Sequence, residues 1–311
     1  MANLYGYGSN GDEGPTPSHA LAFTCLFALG AIIQTFLAIR KKHWWLLATL
    51  GLYGLFETIG WGSRYGSTKD LESMKLYAIQ SSMLVLGPCF FTGEIKQTNK
   101  LLLWLLINSL AFIYVQLGKV IKDHGPQYSM LKPKLFGILF VTADVFCILI
   151  QGSGGGISSS GGNTKMGSDL TLAGIILQFL CVLAYTVFLV DFCRRYYYNI
   201  PFRRIGYTHD RMALYDGKEK LKLTLMLTML SSTTLLVIIR SIYRIAELSN
   251  GFQSEIAKNQ LLFDVLDGAM MLISYYITIG LHPTFLQPRF YQMHNISMTN
   301  QSSLKSDYNL V

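Results

Sequence analysis

Charge is what this sequence has least of. Only 14% of its 311 residues are Asp, Glu, Lys or Arg, while 51% are hydrophobic. Soluble domains carry about 25% charged residues, so the composition excludes an ordinary soluble fold. Ligand-like cysteine spacing is missing too. Cys25, Cys89, Cys147, Cys181 and Cys193 fall singly in or at the end of apolar runs and read as small buried residues. No Lys or Arg precedes the first apolar run, which argues against a cleaved signal peptide. No phosphate-cradling motif occurs: the glycines of "GSGGGI" lack the following lysine, which argues against ATP-driven transport within this chain. No serine elbow is visible, and the six histidines sit at run edges or in connectors, which argues against a hydrolase. We expect no catalytic residue, no cofactor and no metal.

What is present is a series of apolar blocks, at about 19–39, 44–62, 76–95, 101–118, 135–151, 171–191, 221–243 and 261–281. Each has about the length that crosses a bilayer as helix. The expected fold is all-α, a polytopic transmembrane helix bundle over 19–287. A disordered exoplasmic tail (1–18) precedes it, and a cytoplasmic tail (288–311) follows. The formal net charge of +8 sits in connectors between blocks, where it reads as topological charge and not as a nucleic-acid surface. Arg40, Lys41 and Lys42 directly follow the first block, which puts the N-terminus outside. The loop from Arg194 to Lys222 should lie inside. These two assignments agree only if one of the eight blocks fails to cross. The stretch Gly93 to Ser109 is the one whose removal leaves a continuous third span and seven crossings. Retained, it is a re-entrant hairpin or an eighth span.

Polar side chains inside the blocks carry the functional reading, because a charge at bilayer depth costs at least about 2.5–3.5 kcal/mol. The candidates are Glu57, Gln80, Asp144, Gln151, Gln178, Arg240, Glu247 and Asp267. Helical spacing groups them: Asp144 and Gln151 share a face two turns apart, and Arg240, Arg244 and Glu247 form one stripe. Asp264 and Asp267 lie three residues apart. Three readings remain open. Arg240 pairs with an acid on another helix and locks the bundle, or the residues line a cavity for a headgroup, or Asp144 or Asp267 relays protons. Carboxylates outnumber arginine in these central positions, so a cationic amine fits the interior, with Asp144 and Asp267 first to receive it. The glycines after Gln151 read as a flexible exoplasmic loop or a tight turn over a cavity mouth.

Several ordered motifs resemble the fungal lipid-translocating exporter family, which includes the aminocholesterol-resistance and sphingoid long-chain-base-release proteins. They are "FETIGWGSR" (Glu57, Gly60, Trp61, Arg64), "YAIQSSMLVLGPCFF" (Tyr77, Gln80, Pro88) and "FVTADVFCILIQGSGGG" (Asp144, Gln151, Gly154 to Gly156). "IIRSIYRIAELSNG" (Arg240, Arg244, Glu247) and "LDGAMM" with "HP" (Asp267, His282, Pro283) complete the set, and Gly174 and Gln178 fit the span between. The resemblance covers about residues 20–287. It departs at Gln260, where the family has Glu, at Asp264, where it has Tyr, and at the Gly93–Ser109 insertion. It implies seven spans and handling of amphipathic lipids such as sphingoid bases or toxic sterol-like compounds, at the plasma membrane first and internal membranes as the alternative. A seven-helix receptor or lipid sensor, signalling through the basic Arg194–Lys222 loop, is the alternative. Lipids and the bilayer are the partners expected, and no nucleic acid.

Overall fold

The computed structural model describes residues 15–40, 47–70, 73, 75–76, 79–80, 83–84, 112–124, 128–131, 133–159, 164–202, 217–249 and 259–282. The Gly93–Ser109 stretch, most of both tails and residues 203–216 of the basic loop lie outside them, so the question of an eighth span does too.

Every regular element among the described residues is helical. Helix α1 runs Pro17–Arg40, with proline at the first helical position, where its missing N–H costs nothing. A single wide π turn, Leu47–Gly51, leads into α2, Leu52–Ser67. Helix α3 is Phe112–His124, α4 Pro133–Ser159, α5 Thr164–Tyr197 and α6 Gly217–Ser249. Helix α7 is Gln260–Gly280 and contains a second π turn, Asp264–Ala269. Among the described residues five helices, α1, α4, α5, α6 and α7, are long and apolar enough to cross a membrane.

Helix ends follow local chemistry. Asn259 caps α7, its side chain accepting from the Leu262 N–H at 3.2 Å. Helix α5 stops where Asn199 takes a left-handed conformation (φ 54°), and the Ile200 N–H returns to the Arg195 carbonyl at 3.0 Å. The π turn before α2 frees the Leu50 carbonyl, which accepts from the Tyr275 hydroxyl at 3.0 Å.

Among the described residues the helices pack in series: α1 against α2 and α7, α7 against α6, α6 against α5, and α4 against α5 and α3. Their outward faces are apolar, through Ile32, Phe36, Phe146, Leu149, Val187 and Val190. Polar side chains are buried within. This inversion of a soluble protein is what lipid demands. Two aromatic groups fill the core between them. Phe27, Tyr53 and Tyr275 join α1, α2 and α7, and Tyr114, Phe140 and Tyr185 join α3, α4 and α5.

The expectation of a glycine loop after Gln151 is corrected. Gly152 and Gly154 to Gly156 lie inside α4, which continues about two turns past the block edge at Gln151, to Ser159. Small residues here serve close helix approach. A Cβ on Gly154 would meet the Gly167 carbonyl and the Thr171 N–H nitrogen, both at 2.6 Å, and one on Gly174 would meet the Cys147 carbonyl at 3.1 Å. The glycine signal marks a helix–helix seam, because backbone hydrogen bonding in lipid outweighs a helix propensity penalty of about 1 kcal/mol.

Candidate functional site

The polar site begins with the α6 stripe. Spacing of four and three residues puts Arg240, Arg244 and Glu247 on one face, and that face meets Asp267 of α7. Arg244 forks onto Asp267: its Nε donates to Oδ1 and its Nη2 to Oδ2, both at 2.8 Å. Such two-point guanidinium–carboxylate pairing is the strongest ordinary ion-pair geometry. Arg240 Nε lies 2.8 Å from the same Oδ1, an electrostatic contact off the hydrogen-bond direction. Its Nη2 donates to the Leu84 carbonyl at 2.9 Å, fastening the 83–84 segment to α6. Arg244 Nη1 also donates to Glu247 at 3.2 Å. The reading in which Arg240 pairs with an acid on another helix is thus what the geometry contains. Asp267 is held by two arginines at once.

Beside this cluster, α3, α4, α5 and α6 enclose a cavity of about 30 Å³. Asp144 and Gln151 of α4, Gln178 of α5, Tyr114 of α3 and Arg240 and Arg244 of α6 supply its polar lining. Gln151 donates to Gln178 at 2.9 Å. The space fits about one water, or a group of ammonium size, and nothing larger without movement. Glu57 of α2 is buried within electrostatic reach of Arg240, Asp267 and Arg244, and its Oε1 has no hydrogen-bond partner. Gln80 is buried as well.

All eight candidate residues are therefore at most partly exposed, and most converge. Asp144, Gln151, Gln178 and Arg240 share the cavity, whereas Glu247 and Asp267 share Arg244. Four carboxylates, Glu57, Asp144, Glu247 and Asp267, face two guanidiniums, Arg240 and Arg244.

Sequence reasoning left three features out of the site. Arg244 makes the principal ion pair, and its position four residues after Arg240 was the signal. A second cluster lies at the start of α7: Arg64 donates to Asp264 at 3.3 Å and to Gln260, and His19 Nδ1 lies 3.0 Å from Asp264. Phe263 separates the two clusters, with the Arg64 guanidinium 4.2 Å and that of Arg244 5.1 Å from its ring centre. His19 is half exposed, so His19→Ala is expected to lower stability by less than about 1 kcal/mol, measured as the thermal midpoint in detergent. The third feature is a grouping. Asp144, Cys147 and Cys181 bring their side-chain donor atoms within 4.8 Å of one another. Ligand spacing along the chain did not reveal it, because Cys181 comes from the neighbouring helix.

Comparison with known proteins places these residues in context. A family model described as RTA1 like protein matches residues 105–289. Among curated proteins of Saccharomyces cerevisiae, this chain is 28% identical to Protoporphyrin uptake protein 1 (strain ATCC 204508 / S288c), over 70% of this chain and 62% of that protein. It is 23% identical to Sphingoid long-chain base transporter RSB1 of the same strain, over 79% of this chain and 66% of that one. It is 24% identical to Protein RTM1, over 72% and 63%. The chain thus spans just under two thirds of the length of the curated relatives it matches. No solved structure matches.

Proposed function

We propose, from the premise that this chain belongs to the RTA1-like protein family, that it moves or releases amphipathic lipids bearing a cationic headgroup, sphingoid long-chain bases first. It is a multi-pass integral membrane protein. The proposed topology is seven spans with the N-terminus outside, in the plasma membrane, and the proposed consequence is resistance to toxic lipids and sterol-like drugs.

One observation carries the reading: in the interior beside a small polar cavity the four carboxylates Glu57, Asp144, Glu247 and Asp267 outnumber the two guanidiniums Arg240 and Arg244, with Asp144 on the cavity wall and Glu247 and Asp267 taken up by the arginines. A cation entering that interior gains an attraction that an anion does not. Asp267 is committed to Arg240 and Arg244, so its proposed role is to hold those arginines in place. Asp144, on the cavity wall, and Glu57 are then the groups that receive an ammonium. The lipid's tail stays against the apolar helix backs while its head is handed inward. Gln151, Gln178 and Gln80 supply amides to hydroxyl groups near the amine. Relatives named for sphingoid-base transport and protoporphyrin uptake support movement of amphipathic molecules as the shared theme.

The test is reconstitution in liposomes with labelled sphingoid base, a sterol and an anionic phospholipid. Transfer of the sphingoid base between leaflets is expected, with little transfer of the phospholipid. Asp144→Asn removes a charge-assisted interaction of about 1.5–3 kcal/mol, so apparent affinity is expected to fall about ten- to hundredfold. Unchanged transfer by this variant refutes the assignment of Asp144. Absence of any leaflet transfer, with lipid binding retained, favours the sensor alternative.

A further inference from the structure

We propose that Asp144, Cys147 and Cys181 form a binding site for a divalent d10 cation of the zinc type. The argument starts on α4. Asp144 and Cys147 are one turn apart, so both donors leave the same helix face. Cys181 arrives from α5, and the three donor atoms lie within 4.8 Å of one another, the one such convergence among the described residues. Asp144 and Cys147 are fully buried, and Cys181 is partly exposed.

The approach of the two helices is built in. At Gly174 the α5 backbone comes so close to α4 that a Cβ would stand 3.1 Å from the Cys147 carbonyl. Cys181 lies two turns along the same face of α5 and is thereby aimed at Cys147. Tetrahedral bonds of about 2.0–2.3 Å place neighbouring ligands about 3.3–3.8 Å apart. Small side-chain rotations therefore close the group onto one ion.

Donor chemistry selects the class. Two sulfurs and one carboxylate suit zinc. Copper(I) favours all-sulfur sets, and calcium or magnesium favour all-oxygen ones. Three protein ligands leave a fourth position, and the cavity beside Asp144 has room for one water there. Binding converts both thiols to thiolates and releases their two protons. The loaded site then carries one net negative charge (two thiolates and a carboxylate against a doubly charged ion). Arg240, on the wall of the same cavity, offsets it. The inference does not rest on lipid transport. Asp144 serves both readings, and each is measured without the other.

The test uses the full chain, reduced and purified in detergent, titrated with Co²⁺ and then Zn²⁺. Expected are a thiolate-to-cobalt band in the near ultraviolet and tetrahedral visible bands, saturating at a single equivalent and bleached by zinc. Cys181→Ser, at a partly exposed position that tolerates the change, is expected to halve the thiolate band, because one thiolate of the pair is gone. Asp144→Asn is expected to keep that band and weaken metal affinity by at least about tenfold. Cys25→Ser and Cys193→Ser are expected to change nothing. Absence of a thiolate band overturns the proposal. So does a band that survives both Cys147→Ser and Cys181→Ser, or a Cys147–Cys181 disulfide in the protein as isolated.

Discussion

Replacing Asp267 with Asn is expected to be the most damaging single change in the bundle, costing about 3–5 kcal/mol. The carboxylate accepts both bonds of the Arg244 fork and sits 2.8 Å from Arg240 Nε, so its loss takes their shared carboxylate from two buried guanidiniums and leaves the Arg244 bond to Glu247 and the Arg240 bond to the Leu84 carbonyl. Arg240→Gln is expected to cost less, because the fork from Arg244 to Asp267 survives. The asymmetry is the diagnostic part. Thermal denaturation in detergent, followed as the monodisperse fraction, should order the proteins wild type, Arg240→Gln, Asp267→Asn. If Asp267→Asn matched the wild type, the arginines would have water or other partners and the cluster would not lock α6 to α7. Converting Arg240, Arg244 and Asp267 together to apolar residues is expected to recover part of the loss, because no buried guanidinium of this cluster is then left without its carboxylate.

The glycines of α4 give a second prediction, with opposite signs along one short stretch. Gly154→Val places a side chain where the Gly167 carbonyl and the Thr171 backbone nitrogen stand 2.6 Å from its Cβ. Neither atom can yield without moving α5. Overpacking of this kind costs about 1–3 kcal/mol or more. Gly152, Gly155 and Gly156 meet nothing within 4 Å of a Cβ. Alanine at any of these is expected to stabilise the helix by about 0.4–1 kcal/mol, by restricting the unfolded chain. The same denaturation assay reads both. Equal effects at Gly154 and Gly155 would mean that α4 and α5 do not touch along this seam. Gly268 belongs with Gly154, because a side chain there would run into the Trp61 indole.

How much of this was legible beforehand differs by kind of signal. Apolar length located α1 and α4 to α7, because a bilayer sets helix length directly. Buried polar residues were legible one helix at a time, since spacing sorts them by face. The Arg240–Arg244–Glu247 stripe is the clear case. Which face meets which was not legible. That Asp267 would take both arginines, while Asp264 takes Arg64 and His19, depends on the rotation of α7 about its axis. The π turn Asp264–Ala269 sets that rotation, and no residue pattern announces a π turn. The glycines misled for a related reason. Propensity scales weigh a residue against water, and in lipid the helix has no competitor for its own hydrogen bonds. The Asp144, Cys147 and Cys181 group was half visible, as two residues one turn apart. Its third member needed the α4–α5 seam.

The cluster of Arg240, Arg244, Glu247 and Asp267 has a further consequence, an electrical one. A transmembrane voltage acts on net charge, at about 2.3 kcal/mol per elementary charge per 100 mV. Two guanidiniums and two carboxylates bound together sum to zero. As a unit they can shift across the field with almost no work done on them, so the resting potential of a cell neither clamps this cluster nor drives it.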